Sequence, residues 1–145
     1  MPDKKTGVGV GIMILKDGKI LLGKRNDDAE KASSLLHGEG TWTMPGGKFH
    51  FGETLAEAAA REVLEETGIK IKNPKAISVS DDIVSDAHFV TIGFLVTEFE
   101  GEPKAMEPDE ITEWKWFELG NLPAKIFFPS RKVLENYKDK IIYRS

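Results

Sequence analysis

Five glutamates, Glu53, Glu57, Glu62, Glu65 and Glu66, share the stretch GKFHFGETLAEAAAREVLEETGI (residues 47–69) with a single arginine, Arg61. Glu62, Glu65 and Glu66 stand at i, i+3 and i+4, so on a helix turning about 100° per residue they fall within an arc of roughly 100°. Like charges that close destabilise a helix unless a cation sits among them. A hard divalent ion with oxygen ligands, Mg²⁺ above all and Mn²⁺ as a substitute, is the natural cation. Such a loaded cluster can neutralise developing negative charge and activate a water. The competing reading is a solvated acidic helix face. It requires the flanking glycines, the arginine and the glutamate spacing to coincide by chance.

The elements that must position these acids are legible on either side. Thr54 reads as an N-cap with Glu57 completing a capping box. Ala56, Ala59, Ala60, Val63 and Leu64 make an apolar face, and Gly68 followed by Ile69 reads as a left-handed helix stop with its packing residue. Upstream, Pro45-Gly46-Gly47 is expected to form a tight turn whose bare backbone approaches a ligand. Val8–Leu15 and Ile20–Arg25 read as strands joined at Lys16-Asp17-Gly18-Lys19, where Asp-Gly is a hairpin signal. Residues 26–40 read as a polar loop with a helical turn around Ala29–Leu35, and Trp42–Met44 as a short strand. Ala76–Ser80, His88–Phe99 and Thr112–Phe117 read as further strands, with an acidic loop at Glu100–Glu110 between the last two. Ser130–Lys138 is expected to be a helix capped by Ser130, with Val133, Leu134 and Tyr137 buried. Strands interspersed with two helices give an α/β sandwich.

The whole chain narrows the function classes. At 145 residues it is expected to be one domain, residues 1–145, and 40% hydrophobic with 30% charged residues reads as soluble and globular. The absence of cysteine excludes disulfides, thiolate metal sites and cysteine nucleophiles. No apolar run reaches membrane-spanning length and the start MPDKKTG lacks a secretory apolar region, so the expectation is a cytoplasmic protein with no membrane partner. A net charge of −4 argues against a nucleic-acid polymer as partner. It leaves a nucleotide substrate open, since a bound metal and a few local cations reverse the sign at the site. Lys24, Arg25 and Lys48 are the candidates for phosphate contact; strand alternation lets at most one of Lys24 and Arg25 point into the site.

Gly47, five residues, Glu53, seven residues, then Arg61-Glu62-Val63-Leu64-Glu65-Glu66-Thr67-Gly68-Ile69 resembles the Nudix box at every fixed position. The resemblance implies an α/β/α sandwich with a mixed β-sheet. It implies a metal site from Glu62, Glu65 and Glu66 with the backbone carbonyl of Gly46 or Gly47. Glu62 or Glu65 would activate the water, Glu62 being favoured by its matching position, while Arg61 would orient a glutamate through a salt bridge. Glu53 would be structural or an outer ligand. Glu107 matches the location of one further acidic ligand, with Glu110 as competitor and a solvated acidic loop as the alternative.

Strings outside the box, among them Gly7–Gly11, Leu21–Arg25, His88–Ile92 and Phe127-Phe128-Pro129, resemble small MutT-like nucleoside triphosphate diphosphatases. On that resemblance Thr91, Phe127 and Phe128 are nucleobase candidates, each with ordinary core packing as its alternative. The implied activity is Mg²⁺-dependent hydrolysis of a nucleoside triphosphate to monophosphate and pyrophosphate, with homodimers common in the family. The alternatives are a sugar nucleotide or dinucleoside polyphosphate substrate, or a catalytically silent sensor. Residues 26–40 form a longer loop than in similar members, and His37, His50 and His88 form no ligand spacing.

Overall fold

The computed structural model describes residues 4–145; the first three residues of the polar start lie outside the described residues. β1 (Thr6–Lys16) and β2 (Lys19–Arg25) pair antiparallel through Leu15↔Ile20 and Lys16↔Lys19. Asp17 and Gly18 connect them with φ of 51° and 74°, the double positive-φ turn that an Asp-Gly pair favours because its twist matches the strands.

Beyond that hairpin the two strands diverge and recruit different neighbours. β1 takes β4 (Gly46–Lys48) antiparallel on one side and β7 (Ala87–Val96) parallel on the other. β2 takes β3 (Trp42–Thr43) and β9 (Ile111–Glu118), both antiparallel. β6 (Lys75–Val84) closes the far edge against β7, giving the path β3-β2-β1-β7-β6 with one parallel pair. β5 (Lys70–Lys72) and β8 (Glu98–Glu100) form a separate ribbon, so the predicted run His88–Phe99 is in fact two strands in two sheets.

Strand alternation sends successive side chains to opposite faces, and each face is covered by a helix. Val10, Ile12, Ile14 and Leu21 pack with Ala58, Ala59 and Val63 of α2 (Leu55–Thr67). Met13, Ile20 and Leu22 pack on the other face with Val133 and Leu134 of α3 (Phe128–Asp139). The result is the expected α/β/α arrangement around a mixed sheet.

Three local expectations are corrected. The tight turn expected over residues 45–47 reduces to a bend at Pro45: Gly46 and Gly47 lie in β4, and glycine is needed at 46 because a Cβ there would run into the Val10 carbonyl oxygen of β1. The buried side of α2 is Ala58, Ala59, Val63, Glu66 and Thr67, not the stripe ending in Leu64, which is exposed. The core face is thus turned toward the acidic one, and Glu66 goes inside. Ser130 does not cap α3; Phe127 occupies that position without a side-chain bond, with Pro129 in the first turn. The Ser130 hydroxyl instead accepts the Met44 N–H at 2.9 Å, which ties α3 to the segment between β3 and β4.

Candidate active site

α2 is held at both ends by local chemistry that the sequence encodes. Thr54 Oγ1 accepts the Glu57 N–H at 3.1 Å while the Glu57 carboxylate accepts the Thr54 N–H at 3.0 Å. Gly68, at φ 79°, turns its N–H back to the Leu64 carbonyl at the other end. Between these stops the helix lies along β4, and the two glycines decide how closely. A Cβ on Gly47 would sit 2.6 Å from Glu62 Oε2, so only a bare backbone lets the Glu62 carboxylate rest there.

Glu66 points inward to the same strand and accepts the Gly46 N–H at 3.2 Å. Since N–H and C=O of one strand residue point the same way, the Gly46 carbonyl shares the edge that faces Glu66. The neighbouring carbonyls turn to β1: Pro45 accepts from Ile12 N–H, and Gly47 O lies 3.2 Å from where a Gly9 Cβ would stand. Burial pushes the Glu66 carboxyl well above the usual range, and the Glu62 charge beside it pushes the same way. Glu62 is also raised, first by burial, with Arg61 opposing.

Arg61 gathers the remaining charge. Its Nε and Nη2 donate to the two oxygens of Glu53 at 2.6 and 3.0 Å, its Nη1 to Glu62 at 2.8 Å and Glu65 at 3.3 Å, and its Nη2 also to the Lys48 carbonyl at 3.0 Å. The fork of a guanidinium suits this shared use. It holds Glu53 at a pKa of about 2. Glu53 in turn accepts the His50 N–H at 2.9 Å, so Glu53 and Arg61 together brace the loop from β4 to α2.

The acids line a cleft of about 480 Å³. Glu62, Glu65, Glu66 and Glu107 line it together with Gly46, Gly47, Lys48, Arg25, Thr91 and Phe127. Of the residues read from the sequence as site candidates, Phe128 alone among the nucleobase set is absent from this lining; it packs at 5.7 Å from Phe127, with Lys132 Nζ 5.4 Å from its ring. Glu107 lies on the exposed loop before β9, its carboxyl raised by partial burial and then by Glu110, Glu65 and Glu62; Glu110 lines the cleft too.

Arg25 lines the cleft but is already engaged. It is buried, its Nε donates to the Gly38 carbonyl at 3.0 Å and its Nη2 to Ala32 at 3.2 Å, and it stacks 4.7 Å from the Phe127 ring. It pins the loop of residues 26–40, within which Ala29–Ala32 form a single helical turn, α1, capped by Asp28. Lys24 pairs with Asp27 at 3.0 Å on the surface. Lys48 stays exposed at the cleft rim, 5.2 Å from the Phe89 ring.

Sequence reading missed three contributors. Phe89 lines the cleft beneath Lys48; its place in the string His88–Ile92 was visible but its direction was not. Asp82 is fully buried, where it accepts from Thr91 and Ser80 and pairs with Lys132 at 3.1 Å, a convergence of β6, β7 and α3 that no local pattern announces. Trp114 on β9 donates its indole N–H to the Glu66 carbonyl at 3.2 Å and so locks the acidic turn from below.

The donor set is all oxygen, as a hard divalent ion requires. Among the described residues no three carboxylate or imidazole groups converge on one point. Glu66 faces Gly46, while Arg61 draws Glu62 and Glu65 to itself. The residues therefore fit a metal in kind and number, and Glu62 and Glu65 each keep one oxygen free of the guanidinium. Among the described residues no helix is long and apolar enough to cross a membrane.

The model of the NUDIX domain matches residues 5–137. The chain is 37% identical over 132 residues to the ADP-ribose pyrophosphatase of Methanocaldococcus jannaschii, covering 90% of this chain and 72% of that one. It is 32% identical over 131 residues to the 8-oxo-dGTP diphosphatase of Escherichia coli, covering 89% and 92%. Among solved structures, the MutT NUDIX hydrolase of Burkholderia pseudomallei superposes with a TM-score of 0.82 at 35% identity, over 91% of this chain and 98% of that one. The chain spans only 38% of a further relative, the NAD-capped RNA hydrolase NudC of Salmonella paratyphi C.

Proposed function

The chain belongs to the NUDIX family and is a Nudix hydrolase acting on a small nucleotide substrate with a divalent metal, and from that premise we propose that it hydrolyses a nucleoside triphosphate to monophosphate and pyrophosphate with Mg²⁺, Mn²⁺ substituting. The observation that carries this reading is one cleft lined both by the acids Glu62, Glu65 and Glu66 and by Thr91 and Phe127. A polyphosphate belongs against the acids and a planar base against Thr91 and Phe127.

Glu62, Glu65, Glu66, Glu107 and the Gly46 carbonyl are the proposed ligands; the turn of the Gly47 carbonyl toward Gly9 favours Gly46 of the two. The metal supplies charge neutralisation on the phosphoryl oxygens and a lower pKa for the attacking water. Glu62 takes the water's proton, a role favoured by its match to the Nudix-box position, with Glu65 as the alternative. Arg61 acts by holding Glu53, Glu62 and Glu65 in register. Lys48 at the rim offers its ammonium to the phosphates; Arg25 orders the wall beside them. Attack falls on the β-phosphorus, leaving monophosphate and pyrophosphate.

The 37% identity to an ADP-ribose pyrophosphatase favours a second reading, a diphosphate joined to a sugar. A panel of nucleoside triphosphates, sugar nucleotides and dinucleoside polyphosphates with Mg²⁺ separates them, products being resolved and phosphate measured with and without pyrophosphatase. Monophosphate and pyrophosphate from triphosphates support the proposal, and turnover of sugar nucleotides alone replaces it with the second reading. Tight binding without turnover across the panel would leave only a sensor.

A further inference from the structure

The lining of the cleft also carries three buried hydroxyl residues, Thr43, Thr91 and Ser130, from three different elements. A hydroxyl has one hydrogen and two lone pairs, so what it offers a ligand depends on where its hydrogen goes. Thr91 donates to Asp82, which is fully buried between Ser80, Thr91 and Lys132. Thr43 donates to the Met44 carbonyl at 2.9 Å. Ser130 accepts the Met44 N–H at 2.9 Å and lies 3.3 Å from Thr43 Oγ1, a contact in which either hydroxyl can donate. Arg25, which lines the same cleft as Lys48, turns Nε and Nη2 to the carbonyls of Gly38 and Ala32.

We infer that Thr91 presents only an acceptor to the cleft, and that Asp82 is the positioning residue that makes it so by holding the Thr91 hydrogen away from the cleft. The inference rests on the nucleotide reading above and deepens it. The ring that docks there is one whose edge presents N–H donors, and Thr91 is the specificity-determining contact. An edge carrying only acceptors meets lone pairs and leaves its own acceptors dry, a desolvation cost with no return. Asp82 carries out this role without touching the ligand: it is absent from the cleft lining and acts through Thr91.

The test deletes ligand donors without adding bulk. Two pairs of triphosphates serve: ATP against purine riboside triphosphate, which lacks the 6-amino group, and GTP against ITP, which lacks the 2-amino group. For the wild type, at least one deletion lowers kcat/KM by about tenfold, the usual worth of a buried hydrogen bond lost on one side. Thr91→Val, which keeps the shape and removes the acceptor, brings that pair within about twofold, and Thr91→Ser restores the gap. Asp82→Asn narrows the same gap, because an amide donating to Thr91 turns its hydrogen into the cleft; it is read after its melting curve shows a folded protein, and Thr91→Val decides the matter if it does not fold. No deletion costing more than twofold in the wild type, or a gap that survives Thr91→Val, overturns the inference. If no triphosphate is hydrolysed, the reaction proposed above fails by itself. The same pairs measured as monophosphate Kd by calorimetry then decide the Thr91 contact independently.

Discussion

Gly46 and Gly47 are neighbours in β4, yet adding one methyl to each is expected to fail in opposite ways. A Cβ on Gly47 meets the end of a side chain: Glu62 Oε2 at 2.6 Å, with Cδ and Oε1 at 2.7 Å. Ordinary contact begins near 3.4 Å, so the carboxylate retreats by about 0.8 Å. That displacement strains the 2.8 Å bond from Arg61 Nη1 and moves the proposed base off the line of attack. A misplacement of about 1 Å at a reacting group costs on the order of 100-fold in rate. Gly47→Ala is therefore expected to keep its fold, with a melting temperature close to wild type, and to lose about 100-fold in kcat. A Cβ on Gly46 meets backbone instead, the Val10 carbonyl, with Gly11 Cα at 3.1 Å. Backbone cannot step aside, so Gly46→Ala pushes β4 from β1 at a cost of about 1–3 kcal/mol in stability, as overpacking does elsewhere. Parallel thermal melts and Mg²⁺-dependent hydrolysis assays read both. A Gly47→Ala enzyme with wild-type kcat, or a Gly46→Ala protein as stable as wild type, refutes this account of why two glycines stand there.

Two further outcomes follow from the charges. Glu53, held near a pKa of about 2 by Arg61, adds stability above its ordinary range near 4.5, and that contribution is lost as pH falls toward about 2. Melts of wild type and Glu53→Gln should thus differ at pH 7 and converge near pH 2; a constant gap across that window contradicts the pairing. Glu66 has the opposite sign. Its raised pKa favours the folded state at low pH, and that contribution fades as pH rises through the folded value, so metal-free Glu66→Gln should melt higher than wild type at neutral pH. Arg25→Lys loses the fork to Gly38 and Ala32, and faster amide exchange across residues 33–40 would show it, while unchanged exchange would remove Arg25 as the pin of that loop.

What the sequence made legible is what depends on local chemistry. The capping box at Thr54 and Glu57, the stop at Gly68 and the hairpin at Asp17-Gly18 are each set by residues within four positions of one another, and all stand as expected. Where packing decides, the reading failed. Glu66 is buried because β4 and Trp114 close over it, a consequence of tertiary contact that helical periodicity cannot contain. Ser130 looked like a cap by its type, yet its hydroxyl serves Met44, 86 residues earlier. Arg25 read as a candidate for phosphate contact from its place at the end of a strand, and its bonds to carbonyls of the long loop that follows had no local signal. Asp82 had no local signal at all, since its partners come from a neighbouring strand and the last helix.

The most direct test is a titration with Mn²⁺ followed by electron paramagnetic resonance, on wild type and Glu66→Gln, in the presence of a non-hydrolysable nucleoside triphosphate. If the inner face of α2 holds the cation, the wild type removes the free-ion signal stoichiometrically and the variant binds at least about tenfold more weakly while remaining folded. Equal binding by the two proteins would place the metal elsewhere and contradict the account.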